Sequence, residues 1–179
     1  NAADESEFKD YYIRTTKAVS LSDIELFAEP KFDGLAISIT FINGKFDKAV
    51  TRGDGYIGED VTQNVKTIKS LPLLLKDKRL PNKFTLKGEV FIDKKDFETI
   101  NNELDKKGEK QYSNPRNLAA GSIRQLDPLI ASMRNLKLFI HGISDYEKFI
   151  HINKHDILIK YLKNLGFPIN KYYRVLKDL

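Results

Sequence analysis

The sequence predicts an α+β fold of mostly antiparallel sheets with flanking helices. Three observations carry that prediction. Asn43-Gly44 sits between two runs rich in β-branched and aromatic residues, the strongest short hairpin signal. Strand-like and helix-like segments then follow one another without the regular alternation of a parallel βαβ sheet. Leu158, Tyr161, Leu162 and Leu165 recur at helical spacing, and Gly166 and Pro168 stop that pattern.

Taken in order, Asp4 to Ala18 reads as a helix. Asp4 can cap it, and Glu7 three residues on completes a capping box. Ile24 to Arg52 reads as strands. A two-residue loop at Asn43-Gly44 sets their register: Ile42 opposes Lys45, Phe41 opposes Phe46, Ile37 opposes Val50 and Leu35 opposes Arg52. That register returns Thr51 and Arg52 to the neighbourhood of Lys31 and Gly34. A glycine-rich loop, Arg52 to Asp60, follows. Lys83 to Ile92 reads as another strand. Asp93 is placed to cap a helix that Gly108 closes from the C′ position. Asn114 to Pro128 reads as a turn into a short helix, Leu136 to Ile143 as a strand, and Ile152 to Leu165 as the last helix.

The chain has 179 residues, 41% apolar and 11% aromatic, enough for one globular domain or a large piece of one. It has no cysteine, which excludes a disulfide scaffold and a thiolate metal site. No run of about 18 apolar residues offers a membrane span. The formal charge of +5 is compatible with a polyanionic partner. The acidic start, Asn1-Ala2-Ala3-Asp4-Glu5, is not a signal peptide and has no initiating methionine, so a cropped segment is expected.

The stretch "EPKFDGLA" places Lys31 between Glu29 and Asp33. On a strand all three would share a face. Two readings stand: a solvated ion pair, worth about 0–1 kcal/mol, or an amine nucleophile that burial or nearby cations deprotonate. In "RGDGYIGED" the glycines at 53, 55 and 58 allow either close approach to a phosphate or a flexible hairpin extension. No Gly-Lys-Ser/Thr follows, so it is not a Walker loop. Glu89 is a carboxylate within a β-branched and aromatic strand, suited to a sugar hydroxyl or to an outward-facing edge. His141 in "FIHGI" could stack on a base or serve the fold. The three histidines lack metal-ligand spacing. Arg116 and Arg124 lie about two helical turns apart and could meet phosphates in a row.

Together and in this order, "EPKFDGLA", "TRGDGYIGEDVTQNVKTI", "KGEVFI", "NPRNLAAGSIRQLDP" and "HGI" resemble the adenylation domain of bacterial NAD-dependent DNA ligases. The resemblance covers the whole chain. It implies the nucleotidyltransferase fold, ATP-grasp-like, and a place in replication and repair. Lys31 would attack the α-phosphate of NAD to form lysyl-AMP. Glu29, Asp33, Gly34, Arg52, Glu89 and His141 would bind the nucleotide, with Glu29 at adenine, Arg52 near ribose and phosphate, Glu89 at the ribose and His141 stacked on the base. Arg116 and Arg124 would face the nicked DNA or its 5′-phosphate.

Mg²⁺ is the implied ion, held at the phosphate rather than by protein side chains. Zn²⁺ belongs to a C-terminal part that this sequence lacks. Also expected beyond Asn1–Leu179 are the nicotinamide mononucleotide module, two further lysine motifs, and the OB, helix-hairpin-helix and BRCT parts. The fragment alone is therefore expected to be inactive or weakly active. The implied setting is a cytoplasmic, nucleoid-associated monomer acting on nicked double-stranded DNA. Two rival readings are an ATP- or GTP-dependent nucleotidyltransferase and a non-catalytic nucleic-acid-binding module.

Overall fold

The computed structural model describes residues 3–19, 25–53, 57–149 and 151–177. The chain divides into two compact units, Asn1–Pro30 with Lys171–Leu179, and Lys31–Asn170. Ile24 and Gly55, which the sequence reading used, lie outside the described residues.

In the smaller unit, α1 spans Glu5–Val19. Asp4 Oδ1 accepts from the Glu7 backbone N–H at 2.8 Å, as a capping residue should. The Glu7 carboxylate reaches back to the Ala3 N–H rather than to that of Asp4 itself, one residue further than an ideal capping box. Strand β1, Leu26–Ala28, pairs antiparallel with β6, Arg174–Leu176. The Phe27 and Tyr173 rings stack there at 4.9 Å.

The larger unit is built on a four-stranded antiparallel sheet in the order β3-β2-β4-β5. These are β2 Leu35–Ile42, β3 Lys45–Thr51, β4 Lys83–Phe91 and β5 Lys137–Ile143. The Asn43-Gly44 turn forms with φ of 51° and 73°, the two positive values that its type requires. Ile42 opposes Lys45 and Phe41 opposes Phe46, as expected. Beyond them the register slips at a bulge. Thr40 pairs with Lys48, leaving Asp47 over, and Ile37 meets Thr51 instead of Val50. The Arg52 N–H therefore donates to the Ala36 carbonyl at 3.2 Å, one residue from the position the loop length alone gave.

Alternation along β2 buries Ile37, Ile39 and Phe41. Phe84, Leu86 and Val90 of β4 and Leu138 and Ile140 of β5 join them. Phe41 stacks on Phe84 at 5.5 Å and meets Phe167 edge-on at 5.6 Å. Val65 of α2 (Thr62–Val65), Ile123 of α4 (Pro115–Ile123) and Leu158 and Leu162 of α6 (His155–Asn164) complete this core. A second cluster seats α3 (Lys94–Lys106), through Ile100 and Leu104, on Leu118 and Ile92. Both α3 and α6 close in Schellman geometry, with Gly108 at φ 68° and Gly166 at φ 91°. The Glu109 and Phe167 N–H groups reach back to the Leu104 and Leu162 carbonyls. Asp93 stands at the N-cap of α3 without capping it, because its carboxylate is bound to Lys137 instead.

Chain segments also cover the outer edge of β3. Leu74 bridges to Lys45 at one end and Asp60 bridges to Val50 at the other. On β5, the Ile140 N–H donates to the Pro168 carbonyl at 2.8 Å.

Two polar groups hold helices to this frame. Buried Asn64 donates through Nδ2 to the carbonyls of Ile123 and Gln125 at 2.6 and 2.7 Å, satisfying groups that the end of α4 leaves open. Tyr161 of α6 lies under the Arg79 guanidinium, 5.4 Å from its ring centre, and donates to Asp77 Oδ2 at 3.2 Å. Burial first, and then the Asp77 charge, push the Tyr161 phenol up to about 12.

Replacing Asn64 with Ala strands two carbonyls, and we expect a loss of about 2 kcal/mol in urea unfolding. Tyr161 predicts an alkaline effect. Its folded pKa lies above the ordinary value near 10, so the neutral phenol stabilises the fold fully below about pH 10. That contribution is lost as pH rises toward about 12, where the folded state ionises too. Denaturant melts from pH 9 to 12 should show a shallower loss for Tyr161→Phe than for the parent.

Candidate active site

Residues 29–33 belong to no strand, so the even spacing of Glu29, Lys31 and Asp33 does not put them on one face. The reason is local. Pro30 cannot donate to a ladder, and Gly34 holds the next residues against β4. A Cβ on Gly34 would lie 2.2 Å from the Val90 carbonyl oxygen. Its N–H donates to Glu89 Oε1 at 3.1 Å. Phe32 turns the other way from its charged neighbours and packs on Phe139 at 4.4 Å and Phe91 at 5.8 Å between ring centres. Phe91 and Phe139 themselves stack at 4.7 Å. The segment that follows Lys31 is thus held by a ring contact at Phe32 and by a backbone dock at Gly34. The Lys31 side chain is exposed, with no hydrogen-bonding or ionic partner among the described residues of the larger unit. Glu29 is exposed and belongs to the smaller unit.

The sheet register lines up four residues. Arg52 stands opposite Ala36, Ala36 pairs with Glu89, and Glu89 pairs with Phe139. Directly opposed residues share a face. Glu89, half-buried, therefore has a small side chain on one flank and an aromatic ring on the other. His141 is exposed, and it is the extra residue of a bulge. Gly88 pairs with Ile140 and Lys87 with Gly142, which leaves His141 out of the ladder. Such a bulge re-aims a side chain that strict alternation would fix.

The two arginines of the 114–128 segment serve different partners. Arg116, in the first turn of α4, meets Asp33 at 3.0 Å. Asn114 makes this possible by capping α4 through the Asn117 N–H, with Pro115 at the first helical position. Arg124 follows the last residue of α4 and binds Glu59 at 2.5 Å. Both pairs are solvent-exposed, so each is weak and its guanidinium is available for exchange to another anion.

The glycine loop packs against itself. Gly53 has φ 55°, and a Cβ there would lie 1.7 Å from the Ile57 carbonyl oxygen. A Cβ on Gly58 would lie 1.9 Å from the Thr51 carbonyl oxygen. The Thr51 hydroxyl accepts from the Glu59 N–H at 3.0 Å. These glycines let the loop fold back along β3 and present Glu59 to Arg124.

Sequence reasoning missed Phe32, Phe91, Phe139 and Glu59. The signal for Phe32 was present, as an aromatic residue wedged between a lysine and an aspartate. A cavity of about 460 Å³ lies along Phe91, Phe139, Lys137 and Met133, and none of the site residues expected from sequence lines it. Among the described residues, no group of three or more His, Asp or Glu side chains is placed to hold a metal ion. No helix among them is long and apolar enough to cross a membrane.

Three relatives bear the name DNA ligase. The chain is 38% identical over 179 residues to that of Clostridioides difficile, 41% over 181 residues to that of Thermodesulfovibrio yellowstonii, and 46% over 166 residues to that of Acetivibrio thermocellus. The first two matches cover 100% of this chain and the third 93%. The chain spans about a quarter of each relative, 26%, 27% and 24% of their lengths. The family model for the NAD-dependent DNA ligase adenylation domain matches residues 1–179, and the chain belongs to that family.

Proposed function

We propose that the larger unit activates a dinucleotide for DNA sealing, with Lys31 as the attacking amine. The observation that carries this reading is the placement of Lys31: exposed, unpaired within its unit, and set on a segment fixed by Gly34, Glu89 and Phe32. In the reaction, the Lys31 ammonium first gives up its proton. Its Nζ lone pair then attacks the α-phosphorus of NAD. A P–N bond forms, and the P–O bond to nicotinamide mononucleotide breaks with its electron pair leaving on oxygen. AMP stays on Lys31 and passes to the 5′-phosphate of a nick. The 3′-hydroxyl then displaces AMP and joins the strand.

The site residues divide this work by position. The second oxygen of Glu89 is left for a ribose hydroxyl while Oε1 holds Gly34. Ala36 keeps the floor between Arg52 and Glu89 low enough for a sugar. His141 offers a ring face for the base. Arg52 and Arg116 place guanidinium charge where negative charge builds on phosphate, which favours transfer. Arg116 and Arg124 can exchange their exposed carboxylates for DNA phosphates, and Asp33 would hold Arg116 until then. With no acidic cluster among the described residues to cage it, Mg²⁺ would be held mainly by the substrate's phosphate oxygens, as is usual for this ion, and would supply charge neutralisation there. The fold in this reading is that of a nucleotidyltransferase, and the setting is an intracellular monomer.

A second reading, transfer from ATP or GTP, uses the same lysine. It is separated by the nucleotide that reacts. In the full-length polypeptide that carries this chain, intact-mass spectrometry after incubation with NAD and Mg²⁺ should show one AMP adduct. Peptide mapping should place it on Lys31, and Lys31→Arg should abolish it. An adduct that forms with ATP but not NAD, or that survives Lys31→Arg, overturns the proposal. Gly34→Ala tests the positioning. Its Cβ must push the 31–34 segment off β4, and a displacement of about 1 Å costs on the order of 100-fold in rate. We expect that loss in adduct formation with an unchanged circular dichroism spectrum.

A further inference from the structure

Of the two arginines set toward DNA, Arg124 has the more rigid surroundings. Buried Asn64 holds the chain on both sides of it, since Nδ2 donates to the Ile123 carbonyl at 2.6 Å and to the Gln125 carbonyl at 2.7 Å. The Arg124 side chain is then held at a single atom. Its Nε donates to Glu59 Oε2 at 2.5 Å, and neither terminal nitrogen has a hydrogen-bonding partner among the described residues. Arg116 is bound the other way, through the terminal nitrogen Nη1 to Asp33 at 3.0 Å.

Glu59 is fixed as firmly. Its N–H donates to Thr51 Oγ1 at 3.0 Å, and its carbonyl accepts from the Thr51 N–H at 3.0 Å. Thr51 is buried at the end of β3. The next carboxylate, Asp60, is engaged elsewhere: it meets Lys48 at 3.4 Å and accepts from the Thr62 N–H at 3.0 Å. Glu59, not Asp60, therefore takes the arginine. The pair is exposed and adds little to stability. What it fixes is direction. A guanidinium is planar, with its N–H donors in a rigid fork. Gripped at Nε, it keeps its outer edge, Nη1 and Nη2, open as two parallel donors, the arrangement that matches a phosphate. We propose that Glu59 is a positioning residue, which holds Arg124 at Nε so that Nη1 and Nη2 together meet one phosphate of the nicked duplex. This rests on the proposed role of Arg124 as a DNA contact. Exchange is open to both arginines. Arg116 must release Asp33 to offer both terminal nitrogens, and Arg124 offers both with Glu59 in place.

The test is fluorescence anisotropy of a nicked duplex with the full-length polypeptide that carries this chain, comparing Glu59→Gln with Glu59→Ala. Both variants remove the charge, and with it any repulsion of a phosphate. Only Gln keeps an oxygen for Nε. Ordering one long side chain on binding is costly, so Glu59→Ala should bind about fivefold more weakly than Glu59→Gln. On an Arg124→Ala background the two should bind alike. Arg124→Ala by itself should weaken binding and lower the slope of log K against log salt by about 1. Glu59→Ala binding as well as Glu59→Gln or better, or a gap between them that persists without Arg124, overturns the positioning role alone. If Arg124→Ala leaves affinity unchanged, or the parent does not bind the nicked duplex, the DNA-contact reading falls and the role of Glu59 with it.

Discussion

The arrangement around Lys31 depends on an absence. Gly34 has no Cβ, and the space a Cβ would fill belongs to the carbonyl of Val90. Only because of that gap can the chain lie flat on β4 and give its N–H to Glu89. The same contact sets both the height of Lys31 over the sheet and the orientation of the carboxylate beside it. Gly34 is therefore a position of close backbone approach.

A second layer of support comes from Phe32. Its ring leans on Phe91 and Phe139, which project from neighbouring strands. Lys31, Phe32 and Asp33 thus have three different tasks in three consecutive residues: an exposed amine, a half-buried anchor and the carboxylate that receives Arg116. Arg116 in turn is placed by the Asn114 cap and the proline that starts α4. The route from a capping side chain to the neighbour of Lys31 passes through few contacts, and most of them are local in sequence.

What the sequence made legible follows that locality. The Asn43-Gly44 turn, the Gly108 and Gly166 helix ends and the Asn114-Pro115 start depend on residues a few positions apart, and each formed as the local chemistry dictates. The antiparallel character of the larger sheet followed from the hairpin and the lack of βαβ alternation. Long-range detail was hidden. The bulge at Asp47 moved Arg52 from Leu35 to Ala36, because loop length fixes register only until an extra residue enters the ladder. The bulge at His141 was equally silent, since nothing in "FIHGI" marks which residue leaves the ladder. Asp93 had the right identity for a cap, but Lys137, 44 residues away, took its carboxylate. The glycines of the 52–60 loop were read as room for a ligand or as slack. At 53 and 58 the chain itself fills that room.

The segments laid along β3 have a consequence for the protein outside its folded chemistry. Bare strand edges template the addition of foreign strands, which is the route into aggregates. Here Leu73 and Leu74 cover one end of β3, and Glu59 to Val61 cover the other. A hairpin rich in Ile, Phe and Val is thereby denied a partner from another molecule. Damage to the glycine loop would bare the Ala49–Thr51 end of this edge.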